Sequence, residues 1–216
     1  MCGQFSLDLD AFSVQDEFGL SEMPVDWEIR PNIFPSQMVA VIKAPEIRQI
    51  SMMRWGLVPS WAKDESIGKK MFNARSETLT EKPSFRKPFR YQRCLILANG
   101  FYEWEKREDS ESRAIPYRFE LASEKPFAFA GLWDVWTKKE NPLLTCTIIT
   151  CAPNELVGNF HNRMPVILPK ENYHEWLTGH DTLNLQQMLV PFSSDLMKVR
   201  KVDRLDAPLP IIPPSD

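Results

Sequence analysis

The chain opens Met1-Cys2-Gly3, and Cys2 is the residue through which it could do unusual chemistry. Aminopeptidases remove an initiator Met that precedes a small side chain, and Cys is small enough. Removal would leave an α-amine and a thiol on one carbon skeleton. An α-amine titrates near pH ~8 and a free thiol near ~8.5, so both keep a reactive fraction at neutral pH. The amine would attack an aldehyde to give an imine. The thiol would then close on the imine carbon to give a five-membered thiazolidine. Gly3 leaves the terminus uncrowded. Taken alone, these residues favour the plainer reading, an ordinary cysteine in second place. The case for chemistry rests on what the rest of the chain brings to them.

Two other groups could take part. Glu103 stands between Tyr102 and Trp104 at the end of the run CLILANGFYEWE at 94–105. A carboxylate in such surroundings is either paired, here with an Arg on a strand edge, or has a raised pKa suited to acid–base work. His161 precedes Asn162 and Arg163 at the mouth of an apolar run, a better setting for function than most lone histidines have. Residues 82–93 interleave Lys82, Arg86, Lys87, Arg90 and Arg93 with Phe85, Phe89 and Tyr91. This pattern suits a groove that tracks a phosphate backbone, and equally an amphipathic helix with a solvated basic face. Trp55 and Trp61 flank Gly56-Leu57-Val58-Pro59-Ser60, either as core plugs or as a platform on which a base stacks.

The elements that must position these groups are mostly strands. Residues 37–42 and 49–55 read as a pair of strands, and 94–105 as a central strand, apolar on both faces at its start. Gly100 permits a bulge or a close backbone approach there. Residues 115–121 alternate as a half-buried strand, and 127–136 and 143–151 are two more, with Cys146 as inert core. A strand near 196–202 closes the set. Short helices are expected within 7–18, at 171–177 with Trp176 buried and His174 exposed, and near 183–189, with a turn or helix at 152–160. Residues 30–35 read as a proline-pinned loop, 62–70 as an exposed loop, and 106–113 as a charged hairpin loop. The expected class is α+β: a single domain with a curved, mainly antiparallel, barrel-like β-sheet and a few short peripheral helices. It spans 1–206, and 207–216 form a proline-rich tail.

Composition sets the outer bounds. With 216 residues, 43% hydrophobic and 25% charged, the chain fits one ordinary globular domain. No apolar run approaches the ~18 residues of a membrane helix, and no signal peptide is evident, so the expected setting is cytoplasmic with reduced thiols and no membrane. Cys2, Cys94, Cys146 and Cys151 form no CxxC pair and the three histidines are scattered, so neither a metal nor an organic cofactor is expected. The net charge of −3 argues against bulk attraction to nucleic acid but leaves room for a local basic groove.

Six blocks together resemble one family: MCG at the start, RPNIFPSQ at 30–37, RWGLVPSWAK at 54–63, FNARSET at 72–78, SFRKPFRYQRCLILANGFYEWE at 84–105 and HNRMPVIL at 161–168. In order and spacing they are similar to the SOS-response-associated peptidase (SRAP) family, abasic-site processing proteins related to the embryonic-stem-cell 5-hydroxymethylcytosine-binding protein. The resemblance implies a sensor of abasic sites in single-stranded DNA that forms a thiazolidine crosslink. It implies Cys2 as nucleophile, Asn73 to orient the sugar and Cys2, Glu103 to shuttle protons, and His161 to help open the sugar and support reversal. Arg75 would hold the DNA backbone, helped by Arg86 and Arg90, while the Trp61 and Pro35 loops would kink or wedge the strand. The expected state is a monomer in a bacterial cytoplasm, near the nucleoid. Gln4 stands where the family usually has Arg, and Phe34 where Ala is usual. Competing readings are a thiol autopeptidase using Cys2, an N-terminal-nucleophile glutamine amidotransferase, and a non-covalent binder of single-stranded or modified DNA.

Overall fold

A computed structural model describes residues 2–44, 49–105, 115–138 and 140–202. The expected hairpin loop at 106–113 and tail at 207–216 lie outside the described residues. The apolar run that follows Gln92 forms β6 (Arg93–Ala98), buried at every position. It lies between β3 (Met38–Ile42) and β9 (Phe127–Trp136). β3 pairs onward with β4 (Ser51–Trp55), β4 with β10 (Leu143–Cys151), and β10 returns to β9. These five strands close into a ring, so none of their central edges is left open. Each junction is antiparallel except that of β4 with β10. β11 (Met164–Pro165) and β12 (Ile167–Leu168) extend the outer edges of β10 and β9.

At Asn99 the chain leaves this barrel for a second sheet. There β13 (Met197–Lys201), β8 (Pro116–Leu121), β7 (Gly100–Trp104), β1 (Phe5–Leu7) and β2 (Arg30–Ile33) lie side by side in that order. A polar cluster pins the corner. Arg118 donates from both terminal nitrogens to Asp8 at 2.7 and 2.8 Å, and Asn99 Oδ1 accepts from Ser6 Oγ and from the Asp8 amide. A Cβ on Gly100 would sit 2.6 Å from Arg118 Nε, so the missing side chain is what lets the guanidinium pass. Inside, Phe5 meets Trp55 at 5.0 Å and Phe129 at 5.6 Å, and Phe101 stacks on Phe119 at 5.0 Å.

One expectation is corrected and two are refined. Residues 30–33 are a strand rather than a loop; Pro31 is tolerated because β2 is the sheet's edge. The exposed segment at 62–70 contains a 3-10 turn, Glu65–Lys70. The basic–aromatic segment is a helix, α2 (Pro83–Tyr91), which buries Phe85, Pro88 and Phe89. Its aromatics belong to the core, except Tyr91, so they do not interleave with cations on a groove. Arg93 is no surface cation either. It is buried, and its guanidinium donates to the carbonyls of Phe89, Arg90, Trp176 and Gly179, closing the end of α2. The remaining helices are short: α1 (Ala11–Phe18), α3 (Glu155–Gly158), α4 (Tyr173–Thr178) and α5 (Thr182–Gln187). Among the described residues no helix is long and apolar enough to cross a membrane.

One edge of β10 is shared by two strands. β4 occupies it as far as the pairing of Trp55 with Cys146; β5 (Asn73–Arg75) takes over where Asn73 pairs with Ile148. The chain departs at Gly56, whose amide still donates to the Cys146 carbonyl, and the intervening excursion carries Trp61. Gly56 has φ +133°, and a Cβ there would lie 2.6 Å from the Gly68 carbonyl oxygen. Both terms penalise a side chain. Gly56→Ala is expected to cost at least ~2 kcal/mol of unfolding free energy in urea titration, whereas Gly158→Ala, where the nearest foreign atom is 3.8 Å away, is expected to cost far less. Equal losses at the two positions would refute this account of the turn.

Candidate functional site

Cys2 lies at the foot of β1 and is fully buried. Its thiol donates a long 3.8 Å hydrogen bond to the Gln4 carbonyl. Its own carbonyl accepts from Asn73 Nδ2 at 2.8 Å. The Asn73 side chain can reach it because β5 is set by its parallel pairing to β10, with Asn73 opposite Ile148. Asn73 Oδ1 is buried and has no hydrogen-bond partner among the described residues. Glu103 arrives from β7, opposite Tyr117, and is 4% exposed. Cys2, Asn73 and Glu103 thus converge from three elements far apart in the sequence.

Electrostatics tie the first and last of these together. Burial, and then the nearby Glu103 carboxylate, push the Cys2 thiol well above the usual thiol range. Burial lifts Glu103 itself to about 7. Burial thus favours the reading of Glu103 as a carboxyl with a raised pKa. The site at rest holds a neutral thiol beside a carboxyl that is half protonated near neutral pH. Such a pair can give a proton to a departing oxygen and take one from a reacting sulfur.

His161 sits in a second cluster. Its Nδ1 accepts from the Arg163 amide at 3.0 Å, and the Arg163 carbonyl lies 3.2 Å from the same nitrogen. In the tautomer favoured by the shorter contact, Nε2 carries the proton. The Arg163 guanidinium crosses the end of β10, donating to the Thr150 carbonyl and, at 2.6 and 2.9 Å, to both oxygens of Glu77. Residues 161–163 are thereby fastened to the turn that follows β5, the strand of Asn73. Sequence reasoning named His161 but missed Arg163 and Glu77. Their adjacency to His161 and Arg75 was the available signal.

The residues assigned to DNA divide cleanly. Arg75, Arg86 and Arg90 are exposed, Arg75 ending β5 and the other two on the solvent face of α2. Trp61 is 57% exposed, whereas Trp55 is fully buried, so only one of the two indoles is a surface group. The Trp61 loop is held from below. Ser60 N donates to Asp134, Val58 N to Thr145 Oγ1, and the Trp136 indole to the Ala62 carbonyl. Pro35 lies half-buried in a tight turn where Ser36 has φ +74°. Gln37 Oε1 staples that turn by accepting from Phe34 N and from Arg30. Among the described residues no cluster of His, Cys, Asp and Glu could hold a metal ion. A groove of about 510 Å³ lies against Trp27, Arg30, Gln37 and Met52, and Cys2, Asn73, Glu103 and His161 are not on its wall.

Comparison with known proteins places this geometry in context. A family profile described as SOS response associated peptidase (SRAP) matches residues 1–205. The abasic site processing protein YoqW of Bacillus subtilis is 47% identical over 211 residues, covering 95% of this chain and 93% of that protein. The abasic site processing protein YMR114C of Saccharomyces cerevisiae is 36% identical over 169 residues, covering 74% of this chain and 44% of that protein. A crystal structure of a protein from Bacteroides thetaiotaomicron superposes with a TM-score of 0.82 at 25% identity, covering 94% of this chain and 93% of that one.

The raised carboxyl has a consequence for stability. Glu103 holds its proton more tightly folded than unfolded, so its contribution is complete below its ordinary value of 4.5 and is lost as pH rises through about 7. Between these limits the loss amounts to roughly 3 kcal/mol. Glu103→Gln is expected to flatten this decline, so that urea unfolding at pH 5 and pH 8 separates wild type from variant mainly at the higher pH. Parallel pH profiles for the two proteins would contradict the assignment.

Proposed function

The chain belongs to the SOS response associated peptidase family, and from that premise we propose that it recognises abasic sites in single-stranded DNA and bonds to them covalently through Cys2. The observation that carries the reading is the convergence on Cys2 of an amide that holds its backbone and a carboxyl poised near neutrality. Relatives at up to 47% identity named as abasic site processing proteins support the substrate.

In this reading Met1 is removed and the α-amine of Cys2 attacks C1 of the ring-opened deoxyribose. Water leaves from the carbinolamine with a proton from Glu103 or His161, giving an imine. The thiol then adds to the imine carbon. A C–S bond forms, the thiol proton passes to the ionised Glu103, and the ring nitrogen takes up a proton to complete the thiazolidine. Only an N-terminal cysteine supplies both nucleophiles. Asn73 Oδ1 is available to accept from the α-amine or from a sugar hydroxyl. Arg75, Arg86 and Arg90 face the phosphates, and Trp61 and the Pro35 turn engage the strand beside the lesion. The protein acts as a monomer in the bacterial cytoplasm, at the nucleoid, through residues 1–206.

Single-stranded DNA carrying one abasic site tests this directly, by denaturing gel and intact mass. Wild type is expected to give a heat-stable adduct of a chain lacking Met1, and Cys2→Ala none, while Cys2→Ala retains DNA binding. DNA binding by both proteins without any adduct would make the chain a non-covalent binder. Turnover of peptide or glutamine without DNA, lost in Cys2→Ala, would turn the same thiol to hydrolysis.

A further inference from the structure

Trp55 is the buried aromatic through which the site's separate pieces touch. Its ring meets Phe5, on the strand that follows Cys2, at 5.0 Å, and Phe72 at 6.0 Å. Its indole Nε1 donates at 2.7 Å to the carbonyl of Phe72. That carbonyl and the Asn73 amide share one peptide plane, so whatever fixes the one fixes the other. Ile148 N donates to the same oxygen at 3.1 Å, and just past the end of β4 Leu57 N donates to the Met71 carbonyl at 3.0 Å. Asn73 then holds the Cys2 carbonyl at 2.8 Å.

A buried indole must find some acceptor. A partner chosen for packing alone could be any nearby carbonyl. Here it is the one that begins the strand bearing the only side chain seen to hold the Cys2 backbone among the described residues. We propose that Trp55 is a positioning residue for the chemistry at Cys2, acting through the Phe72 carbonyl to hold Asn73 in place. The proposal rests on the crosslinking function put forward above for its rate readout, but not for its structural one.

Trp55→Phe keeps an aromatic ring and removes the N–H. It is expected to fold and to leave affinity for abasic single-stranded DNA, measured in a Cys2→Ala background, within about twofold. The rate constant for adduct formation at saturating DNA is expected to fall about three- to tenfold, the range that one lost neutral hydrogen bond supports. In a chain already carrying Asn73→Ala the same substitution is expected to change that rate by less than about twofold, because the two residues act in series. By NMR, the Asn73 side-chain amide protons are expected to exchange slowly in wild type and faster in Trp55→Phe. An unchanged rate, a full additional loss in the Asn73→Ala background, or unaltered Asn73 amide signals would each overturn the proposal. Should wild type give no adduct, the crosslinking function fails and the Asn73 amide signals still decide the role of Trp55. If Trp55→Phe does not fold, benzothienylalanine at position 55, which replaces the N–H by sulfur at nearly constant shape, gives the same readouts.

Discussion

The replacement of β4 by β5 along one edge of β10 is the constraint on which the rest of the molecule depends. A five-stranded ring leaves no free edge at its centre, so a further strand can enter only where an existing one departs. β4 ends at Trp55, opposite Cys146, and β5 begins two pairings later, opposite Ile148. The departing chain must turn sharply away while its backbone packs against Gly68, and only glycine at position 56 allows that. Two functional features follow from this exchange. Asn73 enters the barrel wall at the height of Cys2, and the excursion between the strands becomes a pinned loop with Trp61 at its tip. Cys2 and the surface indole are therefore both placed by this exchange of strands, each through its own hydrogen bonds.

The second organising fact is that Cys2 and Glu103 lie inside the fold. Cys2 is fully buried and Glu103 nearly so. Burial favours the neutral thiol and brings the carboxyl to about 7. An N-terminal cysteine in open water would condense with any small aldehyde. Cys2 is instead enclosed at the foot of β1, its backbone carbonyl held by Asn73. Arg75, Arg86 and Arg90 stand exposed despite a net charge of −3, and phosphate contacts depend on where cations stand and not on their sum.

How much of this the sequence discloses varies with the physical range of the interaction. The strands at 38–42, 51–55, 116–121, 127–136 and 143–151 follow from local alternation and apolar runs. Glu103 declares itself because its aromatic neighbours imply burial. Residues 83–91 remain ambiguous, since cations spaced by aromatics describe a basic groove and an amphipathic helix equally well; only packing on β6 and β9 decides for the helix. β2 hides behind Pro31, whose cost vanishes at a sheet edge. Asn73 is invisible to local reasoning, because a three-residue polar strand is stable only through its pairing with a strand more than seventy residues away. Family resemblance alone points to it. Trp55 and Trp61 look alike in sequence, and their division into core and surface depends on a turn angle at Gly56 that composition does not encode.

Gln4 illustrates how the structure changes the meaning of a departure already visible in the sequence. Read as a lost cation, Gln4 in place of Arg implies weaker attraction to the DNA backbone. The structure makes it a buried residue, 1% exposed, with Nε2 donating to Asn32 Oδ1 at 2.8 Å in the edge strand β2. Its backbone carbonyl accepts from both the Cys2 thiol and the Tyr102 amide, and Tyr102 in turn donates its hydroxyl to the Pro31 carbonyl. The side chain thus belongs to the packing that joins β1, β2 and β7 directly beside Cys2 and Glu103. Its Oε1 is buried without a hydrogen-bond partner among the described residues, so position 4 also bears on the seating of the β1 strand.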